Sequence, residues 1–86
     1  MGSYKLSFKK SVEKDLKKLD KFQIARLLSS IENLKETPFP PNARKLVGTS
    51  HSFRLRVGDY RVIYFVFADS LEIEIQKIRH RKEVYR

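Results

Sequence analysis

Ser52-Phe53-Arg54-Leu55-Arg56-Val57-Gly58-Asp59-Tyr60-Arg61-Val62-Ile63-Tyr64-Phe65-Val66-Phe67 is the stretch whose reading decides the fold. Phe53, Leu55 and Val57 alternate with Ser52, Arg54 and Arg56, the period of a half-buried strand. Gly58-Asp59 is a turn signal, because glycine reaches positive φ without a steric penalty. The run from Tyr60 to Phe67 is β-branched and aromatic on both faces, which suits a central strand covered on two sides. Tyr60, Tyr64, Phe65 and Phe67 read as core. One charge sits inside that strand, Arg61, and a cation there must be paired or face a site that wants it.

Outward from this hairpin, period-2 alternation returns twice. Tyr4, Leu6 and Phe8 alternate with Lys5 and Ser7 in a short strand whose lysine suits a sheet edge. Leu71, Ile73 and Ile75 alternate with Glu72, Glu74 and Gln76 in the last strand, after an Asp69-Ser70 turn. Lys77 and Ile78 break that phase, so a bulge is expected there, and it re-aims Arg79 and His80.

Between the first strand and the hairpin the period is helical. Phe8, Val12, Leu16 and Leu19 form one stripe. Asp20 followed by Gln23 marks the start of a second helix by a capping box. Ile24, Leu27, Leu28, Ile31 and Leu34 give that helix its apolar face, and Pro38 stops it. Asn42 to Ser50 reads as a connector with Leu46 and Val47 tucked in. The order is β-α-α-β-β-β, an α+β fold: a small antiparallel sheet with a two-helix hairpin packed on one face, in a single domain over residues 1–86.

At 86 residues, folding hides only roughly 60–65% of the surface the unfolded chain exposes, so the core must be economical. With no cysteine there are no disulfides or thiolate metal sites, a composition that fits the reducing cytoplasm. No apolar run reaches membrane-spanning length and no signal-peptide pattern opens the chain, so no membrane partner is expected. The formal charge of +9 calls for a polyanionic partner, either nucleic acid or an acidic protein. Residues 1 to 50 carry mainly lysines, whereas six of the eight arginines lie after position 50. Lysine is a hydrated point charge, while arginine has the planar fork that grips phosphate.

The face opposite the helices would carry Arg54 and Arg56 side by side, and the Gly58-Asp59 turn would bring Arg61 to them if it points the same way. Arg79, His80 and Tyr85 arrive from the neighbouring strand and its tail. Guanidinium groups, an imidazole and a phenol around one concavity can hold a phosphodiester, neutralise developing phosphorane charge and move protons. No carboxylate cluster accompanies them, so neither a metal nor another cofactor is expected. The chemistry indicated is cleavage of RNA, whose 2′-hydroxyl is a built-in nucleophile that DNA lacks. The plainer reading is that strand-face arginines are solvated charges, that His80 in a basic run is a surface residue and that Tyr85 anchors the tail.

Arg54-Leu55-Arg56-Val57-Gly58-Asp59-Tyr60-Arg61-Val62-Ile63-Tyr64, followed by Arg79-His80-Arg81-Lys82-Glu83-Val84-Tyr85, resembles the RelE branch of the RelE/ParE toxin superfamily. Asp15-Leu16 and Lys45-Leu46 match as well. The resemblance implies a RelE-like, microbial-RNase-type fold and the toxin of a type II toxin–antitoxin pair. Such a toxin enters the ribosomal A site and cuts mRNA there without metal, through 2′-hydroxyl attack. It is neutralised by a small acidic antitoxin, which implies a toxin–antitoxin hetero-oligomer. On this resemblance Arg61 binds and stabilises the scissile phosphate, and Arg79 stabilises charge or protonates the leaving 5′-oxygen. Tyr85 orients or stacks on the nucleotide, and Arg81 belongs to the phosphate-binding set. Arg54 and Arg56 stand where well-studied members have lysines. Arginine effectively cannot lose its proton, so these two become phosphate clamps, and the general base falls to His80, whose side-chain type titrates near neutrality, or to Glu83. Two other classes fit the charge: a ParE-like gyrase-inhibiting toxin that acts by binding, and a non-catalytic RNA-binding module.

Overall fold

The alternation in residues 52–67 becomes two antiparallel strands of a five-stranded sheet in the computed structural model, which describes residues 3–84. The elements are β1 (Lys5–Phe8), α1 (Lys10–Lys17), α2 (Lys21–Asn33), β2 (Ala43–Lys45), β3 (Ser52–Val57), β4 (Tyr60–Phe67), β5 (Glu72–His80) and a short α3 (Arg81–Val84). The sheet order is β1-β5-β4-β3-β2. Both long helices lie on one face, so the α+β class and the helical hairpin expected from the sequence are present.

Several local features differ from the sequence reading. Residues 43–45, expected as connector, form β2, with Arg44 opposite Arg54 and Lys45 opposite Phe53. The Asn42 side chain secures this edge: its Nδ2 donates to Arg56 O at 2.7 Å while the Arg56 N–H donates to Asn42 O at 3.1 Å. The sheet is mixed, because β1 runs parallel to β5 with Lys5 opposite Glu72 and Phe8 opposite Ile75. The helices carry the chain from one sheet edge to the other, leaving β1 and β2 at opposite margins. Val47 is fully exposed rather than tucked in, because it sits in a turn closed by Thr49 N–H to Leu46 O.

The core is one cluster. Val12, Leu27, Ile31 and Leu34 from the helical layer meet Leu55, Val57, Val62, Tyr64, Val66, Ile73, Ile75 and Ile78 from the sheet. Fully burying an aliphatic side chain of this kind contributes about 1.5–3 kcal/mol. Asp20 caps α2 as expected, with its Oδ1 accepting from the Gln23 N–H at 2.9 Å. Leu28 turns outward and is 37% exposed, because the sheet covers only the Leu27–Ile31–Leu34 side of α2. Phe65 and Phe67 also leave the core. By register they share the open sheet face with Arg61, and Phe67 is 39% exposed. No helix among the described residues is long and apolar enough to cross a membrane.

Tyr64 is the largest fully buried side chain, and its hydroxyl donates to Pro38 O at 2.7 Å, tying β4 to the loop after α2. Burial disfavours the phenolate and pushes its pKa up to about 12. Up to pH about 10 both folded and unfolded states keep the proton, so this group gives no pH dependence. Between about 10 and 12 only the folded state keeps it, and stability falls by up to about 1.4 kcal/mol per pH unit. Tyr64→Phe is therefore expected to lower stability by about 1–2 kcal/mol at neutral pH, by leaving the Pro38 carbonyl unpaired. The gap to wild type should narrow from pH 10 to 12. Denaturant titrations across that range test both parts, and a gap that stays constant with pH would rule out the alkaline effect.

Candidate functional site

The bulge expected near Lys77 is present and sets the geometry of the site. Ile63 lies opposite Lys77 but Tyr64 lies opposite Ile75, so Gln76 is the extra residue of β5. Side chains alternate along a strand, and one added residue reverses their phase. Ile73 and Ile75 face the helices before the bulge; Ile78 does so after it, opposite Val62. Arg79 is thereby placed opposite Arg61, and His80 opposite Tyr60.

The open sheet face carries an array of like-charge pairs. Arg44 opposes Arg54, Arg56 opposes Arg61 and Arg61 opposes Arg79. Like charges directly opposite on one sheet face destabilise it. Arg44, Arg54, Arg56 and Arg61, together with Asn42, line a hollow of about 190 Å³ without a carboxylate in its wall. Arg61 forms the floor and is 7% exposed, with Nη1 donating to Tyr60 O at 3.0 Å and Gly58 O at 3.2 Å. Among the described residues neither Arg54 nor Arg56 has an ion pair or side-chain hydrogen bond. Burying or crowding cations without counter-charge is unfavourable unless an anion completes the site.

The expectation of one concavity holding all the candidate groups is corrected here. Arg54, Arg56 and Arg61 come together, whereas His80 lies across the sheet on the helix-facing side. There its ring meets Tyr60 edge-on at 5.3 Å, and its Nδ1 accepts from the Lys82 N–H at 3.3 Å. Arg79, although opposite Arg61 in register, bends around the β5 margin and donates from Nη1 to Asp15 Oδ2 of α1 at 3.2 Å. Both residues line a second hollow of about 160 Å³ with Asp15, Lys18 and Tyr60. Arg81 is tied to the β3–β4 turn, its N–H donating to Asp59 O at 2.6 Å and its Nη1 lying 4.0 Å from Asp59 Oδ1. Tyr85 and the side chain of Glu83 lie outside the described residues. Arg44 joins the hollow unannounced by sequence pattern, because a three-residue strand shows no periodicity.

Gly58 closes the β3–β4 turn at φ +59°. A Cβ there would stand 2.7–2.9 Å from Nη2, Nη1 and Cζ of Arg26, so that guanidinium lies over the glycine. Since the obstructing atoms end a flexible side chain, Arg26 can swing aside, but the left-handed backbone still disfavours any other residue. Gly58→Ala is expected to cost about 1–2 kcal/mol, read as a drop of several degrees in Tm. An unchanged Tm would show that the turn tolerates a side chain.

Comparisons with known proteins agree on one family. A family model described as the ParE toxin of the type II toxin–antitoxin system parDE matches residues 6–85. The chain is 34% identical over 86 residues to the RelE1 protein of Methanocaldococcus jannaschii, covering 96% of each. It superposes on a chain of the archaeal RelE–RelB complex from Pyrococcus horikoshii OT3 with a TM-score of 0.84 and 36% identity, over 92% of this chain and 96% of that one. For the RelB–RelE antitoxin–toxin complex from Methanococcus jannaschii the values are 0.74 and 28%, over 92% and 94%.

Proposed function

Because this chain belongs to the RelE/ParE superfamily and is a RelE-like toxin of a type II toxin–antitoxin system, we propose that it is a ribosome-dependent, metal-independent mRNA endoribonuclease. The observation that carries the reading is the hollow of four arginines with buried Arg61 at its floor. Guanidinium forks pair bidentately with phosphate oxygens, and their charge does not depend on pH in the working range.

In the proposed reaction the 2′-hydroxyl oxygen of one nucleotide attacks the adjacent phosphorus. The O2′–P bond forms and the P–O5′ bond breaks, leaving a 2′,3′-cyclic phosphate and a 5′-hydroxyl. The 2′-hydroxyl proton passes to a base and a proton is delivered to the departing O5′. Arg61 holds a non-bridging oxygen and neutralises the charge that builds on it, with Arg56 clamping the same group, Arg54 holding phosphate beside it and Arg81 supporting it from the turn. Arg79, opposite Arg61 in register, adds charge when its pairing to Asp15 gives way. Proton transfer falls to the tail after β5, where Glu83 and Tyr85 follow in sequence, because His80 lies on the other face of the sheet from the arginine hollow. The ribosomal A site presents and orders the mRNA, supplying the alignment this shallow surface does not enforce alone.

The protein acts in the cytoplasm and is held in check by a small antitoxin. Complexes of RelE with RelB among its relatives support such a partner here, and the charge of +9 favours an acidic segment that folds as it binds.

Primer extension on a translated mRNA tests the assignment. Cuts within codons that appear only when ribosomes are present support it. Cleavage-free inhibition of translation would overturn catalysis, and trapped double-strand breaks in DNA with gyrase would move the protein to the gyrase-poisoning class.

A further inference from the structure

We propose that the arginine hollow holds two consecutive phosphates of the RNA strand, and that the second is gripped by Arg44 and Arg54. The inference deepens the nuclease reading and rests on it for the identity of the strand. Its basis is the arrangement of charge. One phosphodiester is satisfied by one or two guanidinium forks, yet the open face brings together two separate rows. Arg56 and Arg61 oppose each other across β3 and β4, and Arg44 and Arg54 oppose each other across β2 and β3. The rows are two residues apart along β3, about 7 Å at the rise of an extended strand, a step similar to that between neighbouring phosphates of a single strand.

Each row is a like-charge pair that destabilises the sheet unless an anion lies between its members. Arg44 is also preorganised. Its Nη1 donates to Pro41 O at 2.9 Å and to Ala43 O at 3.1 Å, which fixes the guanidinium at the rim. Its Nε and Nη2 have no acceptor among the described residues. Asn42, locked to the Arg56 backbone at 2.7 Å, sets the distance between β2 and the hollow. Protein carbonyls thus orient Arg44, which lines the hollow, while leaving its Nε and Nη2 for a ligand.

The test uses mRNAs carrying a single uncharged methylphosphonate at the phosphate on one or the other side of the cut. On ordinary mRNA, Arg44→Ala should raise the ribosome concentration needed for half-maximal cutting by about ten- to hundredfold, the loss of one charge-assisted contact, with the maximal rate unchanged. On the mRNA whose neighbouring phosphate is neutral at the Arg44 side, the same substitution should have no further effect. An equal loss on every mRNA would overturn the assignment, as would a fall in maximal rate. A second measurement stands apart from cleavage: anisotropy of a labelled 2′-O-methyl RNA octamer, titrated at several salt concentrations. Arg44→Ala should reduce the slope of log affinity against log salt by about 0.7, the contribution of one phosphate contact on a single strand. An unchanged slope refutes the second phosphate contact even if the protein cuts mRNA, whereas a reduced slope in a protein that never cuts would retain the contact and reject the nuclease.

Discussion

Arg61→Ala is expected to lower the rate of mRNA cutting on ribosomes by about 10²–10³-fold, the usual loss when one preorganised donor to developing charge is removed. The size of the effect follows from where the guanidinium sits. It is 7% exposed, on the floor of the arginine hollow, and two backbone carbonyls hold Nη1 in place. A phosphate bound in the hollow would meet it in a partly desolvated setting, where its charge is worth more than on open surface, with the guanidinium already held in place. The same two hydrogen bonds brace the β3–β4 turn, so alanine also removes a structural contact. Arg61→Lys separates the two roles: the ammonium keeps a charge but loses the planar fork that serves carbonyls and phosphate together. Lysine should retain the Tm within a few degrees and still lose most of the rate. Antitoxin binding should change by no more than a few-fold in either variant, because the residue lies at the floor of the hollow. A folded Arg61→Ala protein that cuts within a few-fold of wild type would remove this residue from the mechanism.

Four of the five strands, both long helices and three of the four arginines of the hollow were legible because each lies in an element written in local period. The alternation at 52–57 and the apolar run at 60–67 carry their own register, and Asp20 marks a helix start whatever lies around it. What depended on pairing was not legible. Nothing within Lys5–Phe8 states that β1 runs parallel to β5 rather than antiparallel. Arg44 enters the hollow only because Asn42 pairs with Arg56 across an interval of 14 positions. Phe65 and Phe67 looked like core because a strand rich on both faces implies two covering layers, whereas the helices cover one. The bulge was visible as a break in phase between Ile75 and Ile78, but the side taken by His80 was not. That side is set by pairing across β4, where the ring stands against Tyr60. Arg79 shows the same limit in reverse: register puts it beside Arg61, and an aspartate on α1, 64 positions away, draws its tip elsewhere.

Ile75→Asp is expected to abolish cooperative folding, whereas deletion of its neighbour Gln76 should leave a folded protein. The contrast separates the face a side chain takes from the number of residues in the strand. Gln76 contributes one hydrogen bond, from Nε2 to Glu74 Oε1 at 3.1 Å, and has no partner in the ladder with β4. Its deletion makes Tyr64–Ile75 and Ile63–Lys77 consecutive pairs of a regular ladder. Ile73, Ile75 and Ile78 then keep the helix-facing side by plain alternation, and Lys77 and Arg79 keep the open one. What is lost is the local bend and twist that the bulge adds. Ile75 has no such escape, because it is 0% exposed in the cluster that joins the helices to the sheet. Losing such a side chain costs about 2–5 kcal/mol, and forcing an unpaired charge into its place adds several more. A domain of this kind has about 5–15 kcal/mol in total, so little or nothing remains. Near-ultraviolet circular dichroism with thermal melts of both variants decides the matter. A deletion variant without a cooperative transition would show that the bulge itself holds β5 in register, and a cooperatively melting Ile75→Asp protein would show that the core accepts a charge at that position.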